Sequence, residues 1–331
     1  MERFALAAAV VLGFALTAAL CSLFVPLRRV LERREQQQQP VQSEQPRSAS
    51  LRAPLWGGLC AAAGTVAAVG VGWLAACVGQ PELLGSEGRL MTRLLTALAG
   101  SLAFGAVGLA EDLARMRSPA ALGLRRDVRL LLEALAAAFV LLLLRAAGCL
   151  PRGLGVPGAG YVLLGSAVPL LWAVLMVTLA ECARVAERDE GTVCGAAFAA
   201  MLALMMVEAG LGVPGLAVLP GALAGALVAL GLWAFPPAKL GAGCCGSLLA
   251  AGAIGCIPLS LDMTSLTVPL ALPFWAAGGL LAAQLLCAKR TGKPLRCWVK
   301  KHKMSPETVF LCSFALSAVG YVLALALLRW C

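Results

Sequence analysis

Ten apolar stretches separated by short polar gaps run along the chain, at roughly 4–26, 54–78, 92–110, 128–148, 160–180, 192–209, 214–234, 246–262, 267–288 and 307–328. Each is close to the roughly 20 residues that a helix needs to cross a bilayer, and about twice the length of a barrel strand. Backbone groups at membrane depth find no water and must be satisfied within the segment, which selects helices. The pattern therefore predicts an all-α integral membrane protein with about ten transmembrane helices in one polytopic domain, 1–331. The longest polar interruption, about 27–53, contains the run Gln36 to Gln39 with Pro40 and Pro46 and reads as a solvated linker.

Composition sharpens this reading. The chain is 60% hydrophobic and 13% charged, and its mean hydropathy is +0.87. A soluble domain carries about 25% charge. Disordered, collagenous and disulfide-scaffold classes are excluded on the same grounds. The net charge of +10 does not point to nucleic acid, because the basic residues lie in the gaps between apolar stretches, where they set topology and meet lipid headgroups.

The distribution of those bases orients the chain. Gaps after the first, third, fifth, seventh and ninth stretches hold 21 of the 27 Lys and Arg residues. The expected arrangement places these five loops in the cytoplasm and both termini outside. Leu16 to Cys21 has the outline of a lipoprotein cleavage box, but Leu20 is bulky where a small residue is required and the apolar stretch exceeds a signal h-region. The first stretch is read as a retained helix. Thirteen cysteines fall mostly singly in apolar stretches, among them Cys21, Cys60, Cys77, Cys149, Cys256 and Cys312, and read as small core hydrophobes without zinc or dithiol spacing.

Acidic residues crowd the same face as the bases: Glu111, Asp112, Asp127 and Glu133, then Glu181, Glu187, Asp189 and Glu190. Carboxylates at helix ends are commonly solvated termini, and gathered ionisable groups on one membrane face are candidates for chemistry. A transporter would place ionisable residues at mid-membrane; only Glu208 qualifies, and it falls near an outer helix end.

Four short motifs occur in order. Pro54-Leu-Trp-Gly-Gly58 opens the second stretch, Gly108-Leu-Ala-Glu-Asp112 closes the third, Gly123-Leu124 with Arg129 and Glu133 opens the fourth, and Pro237-Ala238-Lys239-Leu240-Gly-Ala-Gly243-Cys244-Cys245-Gly-Ser247 joins the seventh to the eighth. Together they resemble the polyprenyl-phosphate phospho-sugar transferases, the glycosyltransferase family 4 that contains phospho-N-acetylmuramoyl-pentapeptide transferase and the UDP-GlcNAc undecaprenyl-phosphate enzyme. The resemblance extends to the helix count, the outside termini and the five cytoplasmic loops. It implies a bacterial inner-membrane location, a UDP-sugar donor, a polyprenyl phosphate acceptor, and Mg²⁺ to neutralise phosphate charge with carboxylates holding the metal. It also implies a role in cell-envelope biosynthesis.

Residue by residue, the family pattern is altered. Its Asp-Asp pair is matched by Glu111-Asp112, the catalytic candidates. The Lys and Gln that follow are Arg129 and Glu133, which exchanges a point cation for a planar fork and an amide for an acid. In the fifth-to-sixth loop Glu181, Arg184, Glu187, Arg188 and Glu190 stand at the successive Asn, Asn, Asp, Gly and Asp positions. In the seventh-to-eighth loop the turn residues persist beside Lys239, but the metal-binding Asp is Cys244, and a soft thiol suits a hard cation poorly. The histidine cluster before the last helix aligns with Cys297, Trp298 and Val299, and the only histidine, His302, is offset among lysines. Arg129, Glu133, Arg184, Glu187, Glu190, Lys239 and His302 are thus the substrate-binding candidates. The expected outcome is a catalytically impaired or inactive member that still binds lipid phosphate, nucleotide sugar or a partner enzyme. The alternative is an active transferase with Glu111, Asp112, Glu187 and Glu190 rebuilt into a metal cage. Ala- and Gly-rich faces in the second, third and seventh stretches allow close helix packing, within one chain or in a homodimer.

Overall fold

The structure, a computed structural model, describes residues 2–38, 56–79, 88–117, 123–151, 153–156, 160–163, 165–187, 191–212, 214–235, 238–291 and 306–330. The helices in chain order are α1 (Glu2–Gln38), α2 (Gly57–Gly79), α3 (Gly88–Arg117), α4 (Arg126–Ala146), α5 (Ala167–Ala186), α6 (Thr192–Gly210), α7 (Pro214–Ala234), α8 (Gly243–Ser260), the short α9 (Thr267–Leu270), α10 (Leu272–Thr291) and α11 (Pro306–Trp330). A two-stranded antiparallel hairpin, β1 (Gly153–Val156) and β2 (Gly160–Leu163), stands between α4 and α5 with Gly153 opposite Leu163.

Among the described residues eight helices are long and apolar enough to cross a membrane: α1, α2, α3, α5, α6, α7, α8 and α11. Thr264–Leu270 and Leu272–Ala283 form a ninth if the pair, bent by 64°, is one span. The expected fourth stretch forms α4, 21 residues long, but its Arg126, Asp127, Arg129, Glu133 and Arg145 keep it out of that set, so among the described residues the ten expected crossings become eight or nine. Boundaries differ from expectation in three helices, α3 running past the expected 110 to Arg117. The first helix continues through the start of the expected linker as far as Gln38, and residues 39–55 lie outside the described part. The fifth helix starts at Ala167 and not near 160, because the apolar Gly160–Leu163 pairs with β1 in the hairpin. Glycines at 153, 155 and 160 make a helix costly there. The hairpin is pinned to the distal end of α8 by the Tyr161 hydroxyl, which donates to the Asp262 carboxylate at 3.1 Å.

The core is built around α7 and α8. Every residue of α8 is buried, α3 packs along it more extensively than any other helix pair, and α1 lies against α7 and α2. Lipid offers no hydrophobic gain for joining apolar helices, so close van der Waals contact through small residues must do so. Buried alanines on α7 and α8 supply much of that contact, with Ala217, Ala222, Ala226, Ala250, Ala251 and Ala253 all at 0% exposure. Most singly placed cysteines behave as small core residues: Cys21, Cys60, Cys77 and Cys256 are buried, Cys149 is half-buried and Cys312 is exposed.

Two glycines let α2 and α3 meet the start of α8. A Cβ on Gly108 of α3 would overlap the Cys244 carbonyl and lie 2.8 Å from the Cys245 Cα, and one on Gly58 of α2 would overlap the Gly246 amide and lie 2.8 Å from the Cys245 carbonyl carbon. The start of α8 is thereby clamped between α2 and α3, backbone against backbone. Gly108→Ala should lower stability by about 1–3 kcal/mol, because backbone cannot move aside as a side chain can. Gly70→Ala on α2, with nothing within 4 Å of the added methyl, should change it by less than about 0.5 kcal/mol. Thermal unfolding of the purified variants in detergent distinguishes the two.

Candidate functional site

Gly108 brings the end of α3 against the first turn of α8, and Asp112, one turn further on, meets the amides that this turn leaves unpaired. The first N–H groups of a helix have no carbonyl four residues back to accept them. The residue before α8, Ala242, makes no side-chain cap. Asp112 supplies the cap from another helix: its Oδ1 accepts the N–H of Cys244 at 3.1 Å and its Oδ2 that of Cys245 at 2.9 Å. The carboxylate is 1% exposed and sits where the dipole of α8 favours negative charge. Gly243, at φ 66°, turns the chain into this helix.

Glu111 faces a different set of partners. Its Oε1 accepts a hydrogen bond from Arg115 Nη2 at 2.8 Å and lies 3.7 Å from both Arg129 Nη1 and Arg184 Nη1, while Oε2 is buried without a hydrogen bond. Arg115 also reaches Asp112 and Glu187, each at 3.9 Å. Arg129 donates from Nε to Glu181 Oε1 at 2.8 Å and from Nη2 to Glu181 Oε2 at 3.4 Å. Arg184 Nη2 closes on the same Oε2. Glu133, 0% exposed, has Arg129 Nε at 4.0 Å from Oε1 and no hydrogen bond to either oxygen. One ion-pair network thus ties α3, α4 and α5 together, and Asp112 ties it to α8.

Of the candidates read from sequence, Glu111, Asp112, Arg129, Glu133, Arg184 and Glu187 come together here with Cys244. Lys239 is exposed in the turn after α7, where its N–H donates to the Trp233 carbonyl at 2.8 Å. Glu190 and His302 lie outside the described residues. Two members of the network were not among the catalytic or substrate-binding candidates, although Glu181 stood in the acidic cluster. Arg115 was signalled by its spacing of three and four from Asp112 and Glu111, and Glu181 by its spacing of three from Arg184, distances at which helical side chains meet. Glu208, the mid-membrane candidate, is 1% exposed with Oε2 unpaired, apart from this network.

The donor set does not fit Mg²⁺, which asks for octahedral oxygen ligands at about 2.1 Å. Among the described residues no three Asp, Glu, His or Cys side chains converge as a metal cluster. Both Asp112 oxygens are committed to backbone amides, Glu111 Oε1 faces three guanidiniums, and Cys244 offers sulfur. The positive charge in this site is held by Arg115, Arg129 and Arg184.

The family model described as Glycosyl transferase family 4 matches residues 94–262. The match runs from within α3 to just past α8 and includes every residue of the network. No individual curated protein matches the chain.

Asp112→Asn presents an NH₂ to one of two amides that both need an acceptor, and should cost about 1–3 kcal/mol, the range for orphaning a buried donor, in thermal unfolding. Glu187, at the C-terminal cap of α5, offers a pH test. Burial, reinforced by the neighbouring Asp112 and Glu111 carboxylates and opposed by Arg115 and Arg184, pushes its carboxyl up to about 7. The folded chain then holds this proton more tightly than the unfolded one. Its contribution to stability is complete below the ordinary carboxylate range and is lost as pH rises to about 7. Glu187→Gln should flatten the fall in melting temperature across that window.

Proposed function

From a chain that belongs to glycosyl transferase family 4, the polyprenyl-phosphate phospho-sugar transferases, we propose a membrane protein of that fold in which phospho-sugar transfer has been lost. The family's substrates are polyprenyl phosphate and a sugar nucleotide, which meet at a membrane. In our reading the chain crosses a bacterial inner membrane about ten times, with both termini outside and the charged network on the cytoplasmic face. It remains a scaffold of cell-envelope biosynthesis whose site can hold phosphate but not drive its transfer.

The observation that carries this is the use of Asp112. The carboxylate that survives from the family's acidic pair has both oxygens turned to the Cys244 and Cys245 amides. At the start of α8 the family's second metal-binding acid is replaced by the first of those cysteines. A phosphoryl transfer draws most of its rate from positioning and from positive charge at the transferring group. Here Glu111 has three arginines around it and Asp112 is a helix cap, so neither is placed to hold a divalent ion or assist an attacking phosphate.

The reading is tested with the purified full-length protein, undecaprenyl phosphate, Mg²⁺ and radiolabelled UDP-GlcNAc or UDP-MurNAc-pentapeptide. We expect no lipid-linked product above a protein-free control, and no high-affinity Mn²⁺ binding by electron paramagnetic resonance. Magnesium-dependent product that Asp112→Asn abolishes would overturn the reading and establish an active transferase with a remodelled site.

A further inference from the structure

The ion pairs between α4 and α5 have the composition of an anion site. Arg129 projects from α4 and Arg184 from α5, and among the described residues the one carboxylate within hydrogen-bond distance of both is Glu181. Its two oxygens take three N–H donors from two guanidiniums. Forked, bidentate donation of this kind recognises carboxylate and phosphate alike. The two arginines are fixed by burial, with side chains 8% and 15% exposed, whereas Glu181 is 27% exposed. The carboxylate is thus the most accessible member of the trio, the arginines lying deeper.

A carboxylate also leaves the donor set incompletely used. Arg184 Nε is buried and has no hydrogen-bond partner. Glu181 brings two oxygens to two guanidiniums, while Glu111 stays 3.7 Å from each of them and Glu133 4.0 Å from Arg129, without a hydrogen bond to either arginine. A phosphate monoester brings about −1.5 to −2 charges and three acceptor oxygens at neutral pH. Its third oxygen is available to the buried Arg184 Nε, the donor that Glu181 does not reach. Arg115 is not part of this arrangement, because its hydrogen bond goes to Glu111 and its longer contacts to Asp112 and Glu187.

We propose that Arg129 and Arg184 form a metal-independent binding site for a phosphate monoester, and that Glu181 closes this site as an internal stand-in for the ligand. Opening requires rotation of the Glu181 side chain away from α4, with the incoming phosphate taking over its three hydrogen bonds. The inference rests on the proposed reading only in that the ligand is held and not consumed. The ligand's source is either a lipid-linked phosphate at the membrane surface or free phosphate from the cytoplasm.

The test measures equilibrium binding to the full-length protein in nanodiscs with EDTA present, using inorganic phosphate and a long-chain prenyl monophosphate as probes. Glu181→Gln, which keeps the side-chain shape but removes the negative charge and one of the two acceptor oxygens, should bind at least about tenfold more tightly than the wild-type chain. Glu181→Asp, too short to span both arginines, should give a smaller gain and serves if the first variant does not fold. Adding Arg129→Gln or Arg184→Gln should remove the gain. Equal gains for the two probes assign the site to phosphate itself, and a gain confined to the prenyl monophosphate assigns it to a lipid headgroup. Affinity unchanged in both Glu181 variants, a gain that survives loss of the arginines, or a gain that requires Mg²⁺ would each overturn the proposal. Turnover in the transfer assay would overturn the loss of catalysis and leave this binding result standing, so the two can fail separately.

Discussion

The charged end of this bundle depends on one buried carboxylate meeting the open end of a buried helix. All of α8 is enclosed by protein, so the free amides of its first turn cannot be left to solvent, and an unpaired buried amide costs about 1–3 kcal/mol. Asp112 meets two of them from α3. That contact is possible because Gly108 and Gly58 remove the side chains that would hold the helices apart. The cap, the close approach and the placement of Glu111 one residue earlier are a single arrangement. A carboxylate used in this way has one lone pair of each oxygen directed at backbone.

Around that point the chain has solved the cost of burying acids with arginine. Glu111 and Glu133 are at most 2% exposed, and isolated charges at such sites are strongly disfavoured unless paired. Three guanidiniums from three helices are interleaved with the carboxylates, each of them serving more than one. Here the compensating charge is covalently part of the protein. The same arrangement explains why the Glu181 carboxylate lies between Arg129 and Arg184: two guanidiniums brought together by helix packing need an anion, and the neighbouring turn of α5 supplies one.

Much of this was readable in advance, because membrane helices are declared by local composition. The stretches for α2, α4, α6, α7, α8 and α11 each announced a helix within a few residues of its observed ends, whereas α1 and α3 run on well past theirs, to Gln38 and Arg117. The hairpin was not announced, since Gly160–Leu163 is as apolar as a helical stretch and its strand state comes from pairing with Gly153–Val156. The crowding of acids and bases on one face was legible from topology, but its pairing was not. Glu181 is 52 positions from its hydrogen-bond partner Arg129, and Cys244 is 132 from Asp112. No periodicity in a sequence reports on contacts between helices so distant along the chain.

The sequence by itself determined that the chain is a helical membrane protein, that its charges collect on one side, and that sulfur stands at Cys244 where an acid is expected. These follow from residue type and spacing, which act within one helix or one loop. Only the tertiary structure decided what the surviving acids do. Whether Asp112 faces a cation or a backbone amide depends on the separation of α3 and α8, and whether Glu181 is a solvated terminal acid or the closure of an arginine pair depends on where α4 and α5 cross. Both outcomes come from Coulomb and hydrogen-bond interactions acting over a few ångströms, and the distances they act across are fixed by packing.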